Sequence, residues 1–244
     1  MPLVKFGANA LFLDLDGTLI DIALTPQGVV IPDGLAQLLD DLTRRLGGAL
    51  AIITGRPIRD VDRFLAPLAP VAAGVHGAEI RRMAHGEIDL TAAPIDPAVV
   101  AAVRELAETE TGVVVETKHS SVAIHYRLAP QAEPRIEAAL RRILDDGPDH
   151  LILCHGRRVL EIVPKYVSKG SALETLLELP AFRGRQPVMI GDDISDQSAF
   201  AAAVRLGGRG LKVAGEHFAR SEAFFSGPAE VRGWLAAVCR TLAA

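Results

Sequence analysis

Asp14 and Asp16 stand two residues apart directly after an apolar run, Ala10-Leu11-Phe12-Leu13, and lead into Gly17-Thr18. Asp192 and Asp193 follow Pro187-Val188-Met189-Ile190 and Gly191 in the same manner. Thr54-Gly55-Arg56 closes a third run, Ala49-Leu50-Ala51-Ile52-Ile53, and Lys169 opens a helix-like stretch. Carboxylates gathered in one place repel one another unless a cation neutralises them, and hard oxygen ligands completed by water suit Mg²⁺. An ammonium can face a phosphate, and glycines such as Gly17 and Gly55 let backbone N–H groups approach anionic oxygens closely. These residue types point to metal-assisted chemistry on a phosphate group.

The elements that must position them follow from the hydrophobic pattern. Short apolar runs that end abruptly in polar residues read as buried strands, and open parallel sheets carry their active sites at such strand ends. Leu35, Leu38, Leu39, Leu42 and Leu46 recur at helical spacing, which predicts a helix over 32–46 stopped by Gly47-Gly48. Strand, helix, strand is the start of a parallel α/β sheet. A helix carrying Ile58, Val61, Phe64 and Leu65 on one face follows, then a strand over 71–75 and a turn at His76-Gly77. From about Met83 the texture changes to two amphipathic helices, near 97–110 and 131–145. They alternate with strand pairs at 112–117, 122–126, 151–154 and 159–163, an α+β pattern that predicts a small inserted domain. Beyond Lys169 the earlier style resumes, with helices over 170–179 and 229–242. The expected division is therefore a core over 1–90, an inserted domain over 91–163 and the rest of the core over 164–244.

An apolar fraction of 49% with 23% charged residues predicts a folded globular chain, not a disordered one. A net charge of −4 leaves no basic surplus from which to argue a nucleic-acid or anionic-membrane partner, so a small molecule is the expected one. Residues 1–6 show no secretory pattern, and the longest weakly polar stretch, 64–78, carries two prolines and falls short of the ~20 residues that span a bilayer. A cytoplasmic protein, with a monomer favoured, is the expectation. Cys154 and Cys239 lie far apart, which predicts free thiols rather than a disulfide or zinc framework.

In order along the chain, Asp14-Leu15-Asp16-Gly17-Thr18, Thr54-Gly55-Arg56, Lys169-Gly170 and Gly191-Asp192-Asp193-Ile194-Ser195-Asp196 resemble the four motifs of haloacid-dehalogenase-superfamily phosphatases. That resemblance implies a Rossmann-like α/β core with an α+β cap inserted at the second of the superfamily's cap positions. Asp14 would attack phosphorus, and Asp16 would protonate the leaving oxygen and later activate water. Thr54 and Lys169 would hold the phosphoryl oxygens, with Gly55 and Arg56 beside the substrate. Mg²⁺ would sit among Asp14, Asp192, Asp193 and the backbone carbonyl of Asp16, with Asp196 orienting Lys169 or the metal waters.

Within the inserted segment, residues 116–127 and 156–164 resemble trehalose-6-phosphate phosphatases. The resemblance implies that Lys118, His125 and Glu161 contact a phosphorylated disaccharide, with Glu79 a further candidate contact. Other roles stay open at this level. Thr54 could cap the helix after Pro57, and Asp192 or Ser195 the helix that follows them. His125 could lie on a solvated sheet face, Arg56 could brace its loop, and Lys118 could pair with Glu161. Other sugar phosphates, such as sucrose phosphate or a mannosyl phosphoglycerate, and a non-catalytic sugar-phosphate sensor are the competing functions.

Overall fold

The computed structural model describes residues 5, 7–23, 25 and 28–242, so the reading of 1–6 falls almost wholly outside the described residues. Strand β1 (Asn9–Leu13) is buried at every position. It runs parallel between β2 (Leu50–Ile53) and β10 (Gln186–Gly191). The sheet continues to β3 (Val71–Gly74) on one side and β11 (Arg209–Lys212) on the other, all parallel. Two short antiparallel strands, β4 (Glu79–Arg81) and β5 (Asp89–Leu90), complete the order β11-β10-β1-β2-β3-β4-β5.

Register is what gathers the chemistry. Leu13 pairs with Ile52 on one side and Ile190 on the other, so Asp14, Thr54 and Asp192 leave neighbouring strands at nearly the same level of one sheet edge. Apolar strand residues anchor that edge from below: Phe12, Leu13, Ile52, Ile53 and Ile190 are fully buried in one core.

Helices flank the sheet where local chemistry permits. Helix α1 (Leu35–Arg45) buries Leu35, Leu39 and Leu42, and Gly47 and Gly48 end it in the left-handed conformation that glycine tolerates. It begins three residues later than the leucine spacing predicts, because Gly34 is itself left-handed. Helix α2 (Ile58–Leu65) buries Ile58, Val61 and Leu65. Helix α5 (Lys169–Leu177) starts on a reciprocal cap in which the Ser171 N–H donates to Ser168 Oγ and the Ser168 N–H donates to Ser171 Oγ. Helix α6 (Gln197–Arg205) and the closing α7 (Pro228–Thr241) complete this layer.

The segment between the two halves forms a second sheet with its own core. Strands β6 (Val114–Thr117), β7 (Val122–His125), β9 (Val159–Pro164) and β8 (Leu151–Gly156) pair antiparallel in that order. Helix α3 (Pro97–Glu108) starts on Asp96, whose side chain accepts from the Ala98 N–H, and α4 (Glu133–Asp145) follows β7. Val103, Ile124, Ile136, Leu140 and Leu160 form an apolar cluster distinct from that of the large sheet. Among the described residues no helix is long and apolar enough to cross a membrane, and both cysteines are free.

Candidate active site

Asp14 and Lys169 form the centre of the sheet edge. The Lys169 ammonium donates to Asp14 Oδ1 and Asp196 Oδ1, each at 2.7 Å, with all three groups buried. Asp192, beyond the end of β10, offers an oxygen within 4.8 Å of oxygens on Asp14 and Asp196. The other Asp196 oxygen accepts from the backbone N–H groups of Asp192 and Asp193, at 3.0 and 2.9 Å. Asp196 is thus a bracket that holds the turn after β10 and aims Lys169, one of the two roles open to it in the sequence.

Charge does not balance in this cluster. Three carboxylates share one ammonium, with the Arg157 guanidinium 3.7 Å from Asp192 at the margin, so negative groups outnumber positive ones, a deficit that a cation can fill. Burial first, and then repulsion, push Asp14 up to about 7, with Lys169 opposing and Asp196 reinforcing the shift. Burial and the neighbouring Asp14 push Asp192 up to about 9. Lys169 moves upward although burial alone would lower it, because Asp14 and Asp196 stabilise its cation. Carboxyl groups made this reluctant to ionise, all oxygen donors, fit a hard divalent ion.

Gly17 makes room for the cluster. Its φ is +79°, and a Cβ there would lie 2.1 Å from Asp192 Oδ2. The left-handed backbone alone costs another residue about 1–2 kcal/mol. Gly17→Ala is therefore expected to displace the Asp192 carboxylate and lower kcat about 100-fold, the scale of a misplacement near 1 Å. A steady-state assay in Mg²⁺ reads the effect, and a variant with wild-type kcat would show that the Asp192 position is unimportant.

Asp16 and Asp193 carry their side chains away from this cluster. Arg56 grips Asp16 through two bonds, Nε to Oδ2 at 2.5 Å and Nη2 to Oδ1 at 2.7 Å, and its guanidinium lies 5.0 Å from the Phe64 ring centre. Asp193 Oδ1 accepts from the Ile194 N–H at 2.7 Å and lies 3.0 Å from His217 Nε2. The cap at this turn is therefore Asp193, where the sequence suggested Asp192 or Ser195. Thr54 Oγ1 accepts from the Arg56 N–H at 3.1 Å, so it shapes its own loop rather than capping α2. That helix end is served by Glu79, which accepts from the Ile58 N–H at 2.7 Å. Glu79 is buried and does not line the cavity between the two sheets.

A cavity of about 410 Å³ lies between the sheet edge and the second sheet. Asp14, Asp16, Thr54, Gly55, Arg56, Lys169, Asp192 and Asp193 line one side, and Lys118, His125 and Glu161 line the other. Lys118 and Glu161 pair at 2.8 Å, and Lys118 also donates to the Gly55 carbonyl at 2.9 Å. Burial alone would raise the Glu161 carboxyl, but the Lys118 charge and the His76 contact hold it well below the usual carboxylate range. His125 lies 2.9 Å from Glu116 within the cavity wall, not on a solvated face.

Several lining residues went unmarked in the sequence. Arg127 donates to the Ala23 carbonyl at 2.7 Å and Arg157 lies 3.7 Å from Asp192. Cys154 also lines the cavity, its thiol pushed up to about 11 by burial and then by Glu161. His76, on the turn after β3, reaches Glu161 from the large sheet. No periodicity marks these positions; only the facing of two sheets does.

Residues 12–224 match the family profile described as Trehalose-phosphatase. The chain belongs to the trehalose-phosphatase family. A relative from Sinorhizobium fredii, named "Probable trehalose-phosphate phosphatase", is 41% identical over 94% of this chain and 87% of its own. The Escherichia coli protein named trehalose-6-phosphate phosphatase is 36% identical over 96% and 87%. The solved C-terminal domain of Candida albicans trehalose-6-phosphate phosphatase superposes with a TM-score of 0.83 at 20% identity, covering 96% of this chain and 93% of that one, a likeness of fold. The family's residues thus include both sides of the cavity, since the match runs through the large sheet and the inserted one.

Proposed function

We propose that this chain hydrolyses trehalose 6-phosphate to trehalose and phosphate, with Mg²⁺ among its carboxylates, Asp14 as nucleophile and residues 91–163 as the cap. The observation that carries the reading is the shared wall: Asp14, an ammonium and a cluster of three carboxylates face the Lys118–Glu161 pair across one cavity. Net charge of −4 and the small cavity support a small sugar phosphate as partner; a cytoplasmic monomer is part of the same reading.

Asp14, Asp192 and the backbone carbonyl of Asp16 would hold the metal, with Asp193 beside them. When bound, a divalent ion neutralises the carboxylate excess and withdraws charge from phosphoryl oxygens. An Asp14 oxygen attacks phosphorus as the bond from phosphorus to the sugar oxygen breaks, through a loose transition state. The leaving oxygen takes a proton from Asp16. Asp16, now a carboxylate, removes a proton from water, which attacks the aspartyl-phosphate and releases phosphate as the bond to Asp14 breaks. Asp16 must leave the Arg56 grip to reach that oxygen. Lys169 and Thr54 hold phosphoryl oxygens, and Lys118, Glu161 and His125 offer donors and acceptors to sugar hydroxyls.

A panel of phosphorylated sugars assayed in Mg²⁺ tests this. Trehalose 6-phosphate should be the best substrate, with kcat/KM at least ~10-fold above glucose 6-phosphate, a gap of about 1.4 kcal/mol in transition-state binding. A chelator should abolish turnover, and Mg²⁺ at 100 times its Kd should stabilise the fold by about 2.7 kcal/mol. Equal turnover of glucose 6-phosphate would overturn the substrate, and preference for sucrose phosphate would redirect it.

A further inference from the structure

Val75 and His76, on the turn between β3 and β4, both adopt left-handed backbone, with φ of 48° and 57°. For a β-branched valine this is a genuine outlier, and such strain persists only where the surroundings over-determine it. Here they do. The Val75 N–H donates to the Arg56 carbonyl and the His76 N–H to the Thr54 carbonyl, each at 3.0 Å, which ties the turn to the loop after β2. The His76 ring then lies on Gly55, where a Cβ would fall 2.8 Å from its Cε1.

From that position His76 Nε2 sits 3.3 Å from Glu161 Oε2. The opposite oxygen, Oε1, accepts from Lys118 Nζ at 2.8 Å and from Ser121 Oγ at 2.5 Å. Lys118 returns to the large sheet through the Gly55 carbonyl. A closed ring results: Gly55 and His76 from the large sheet, Lys118 and Glu161 from the inserted one. Both oxygens of the carboxylate are thus contacted, and the more of these contacts are kept, the less the group can turn about its terminal bond. His76 adds to that restraint when its Nε2 carries the proton and donates.

We propose that His76 is a positioning residue for sugar recognition: from the large sheet it holds the Glu161 oxygen that Lys118 does not, so that the carboxylate is aimed into the cavity for a hydroxyl-bearing leaving group when the inserted sheet is seated on the Thr54–Arg56 loop. This rests on the sugar-phosphatase reading and gives a role to a residue that reading leaves without one. The strained turn follows from it, since an unstrained backbone would carry the ring away from Glu161.

The test compares wild type with His76→Ala, His76→Gly and His76→Gln, using the best sugar phosphate of the panel and p-nitrophenyl phosphate, whose leaving group bears no hydroxyls. His76→Ala should raise KM for the sugar phosphate about 10-fold while kcat moves less than about 3-fold, and the preference for sugar over aryl phosphate should fall about 10-fold. His76→Gly should show the same KM defect with a raised Tm, because glycine relieves the left-handed strain. His76→Gln, which keeps a donor at similar reach, should recover part of the preference. A wild type that prefers some sugar phosphate, and whose Ala and Gly variants keep its KM, would overturn the proposal alone. A wild type with no preference for any sugar phosphate over the aryl ester would overturn the underlying reading and the proposal with it.

Discussion

Asp14→Asn should lower phosphate release by at least ~10⁴-fold while leaving the fold intact. The amide is nearly the size of the carboxylate and can still accept from Lys169, which now donates to Asp14 at 2.7 Å. What it loses is nucleophilicity, and loss of the attacking group removes catalysis on the scale seen when one member of a cooperating set is deleted. Stability should move the other way from activity. Burial, with Asp196 adding to it, already pushes the Asp14 carboxyl up to about 7, so a neutral side chain relieves repulsion in the absence of metal. In chelator the variant should melt no lower than wild type, and its stabilisation by added Mg²⁺ should shrink. Acid-quenched wild type incubated with labelled substrate should retain label on the protein, and the variant should not. Asp14→Ala guards against deamidation of the asparagine back to aspartate. Activity above about 1% of wild type in the alanine variant would refute attack by Asp14.

Lys169→Met should weaken both catalysis and the fold. The side chain is 3% exposed and its ammonium bonds Asp14 and Asp196 together, so its removal leaves those carboxylates buried without that countercharge. Breaking a buried pair in this way costs about 3–5 kcal/mol, and a lost phosphoryl-holding group lowers kcat by ~10²–10³. The pH dependence has a definite sign. Without the ammonium, the folded-state pKa of Asp14 rises further above the unfolded value, so folding takes up a proton. Asp14 already stands at about 7 in the wild type, so below that pH both folded proteins carry it protonated; the part of the deficit that this group adds opens above about pH 7 and grows as pH rises. Urea unfolding in chelator at several pH values measures it. Saturating Mg²⁺ should narrow the gap by supplying the missing charge, and equal stability of the two proteins at about pH 9 in chelator would contradict the charge deficit.

Two kinds of element escaped the hydrophobic pattern. β4 reads Glu-Ile-Arg, yet all three residues are buried, because Glu79 accepts from the Ile58 N–H and Arg81 pairs with Asp62. β11 lies at the sheet edge, with charged residues at both of its ends and a glycine within, and pairs only with β10. α6 was anticipated only as a helix after Ser195, without bounds: its buried face is Ala199, Phe200, Ala202 and Ala203, too short in large apolar residues to stand out from an alanine-rich chain.

The amino-acid sequence alone determined the strand ends. Apolar runs of four or five residues bury themselves, and the polar residues that stop them must surface at the sheet edge, so Asp14, Thr54 and Asp192 were bound to meet wherever those strands ran parallel. Order along the chain and residue type carried the same message for Lys169. The tertiary structure alone decided which partners each side chain takes: Arg56 on Asp16, Asp196 on Lys169, Glu79 on the start of α2, and His76 on Glu161 across residues separated by more than a third of the chain. Burial depends on local pattern, whereas hydrogen bonds between sheets depend on distances that no local pattern encodes.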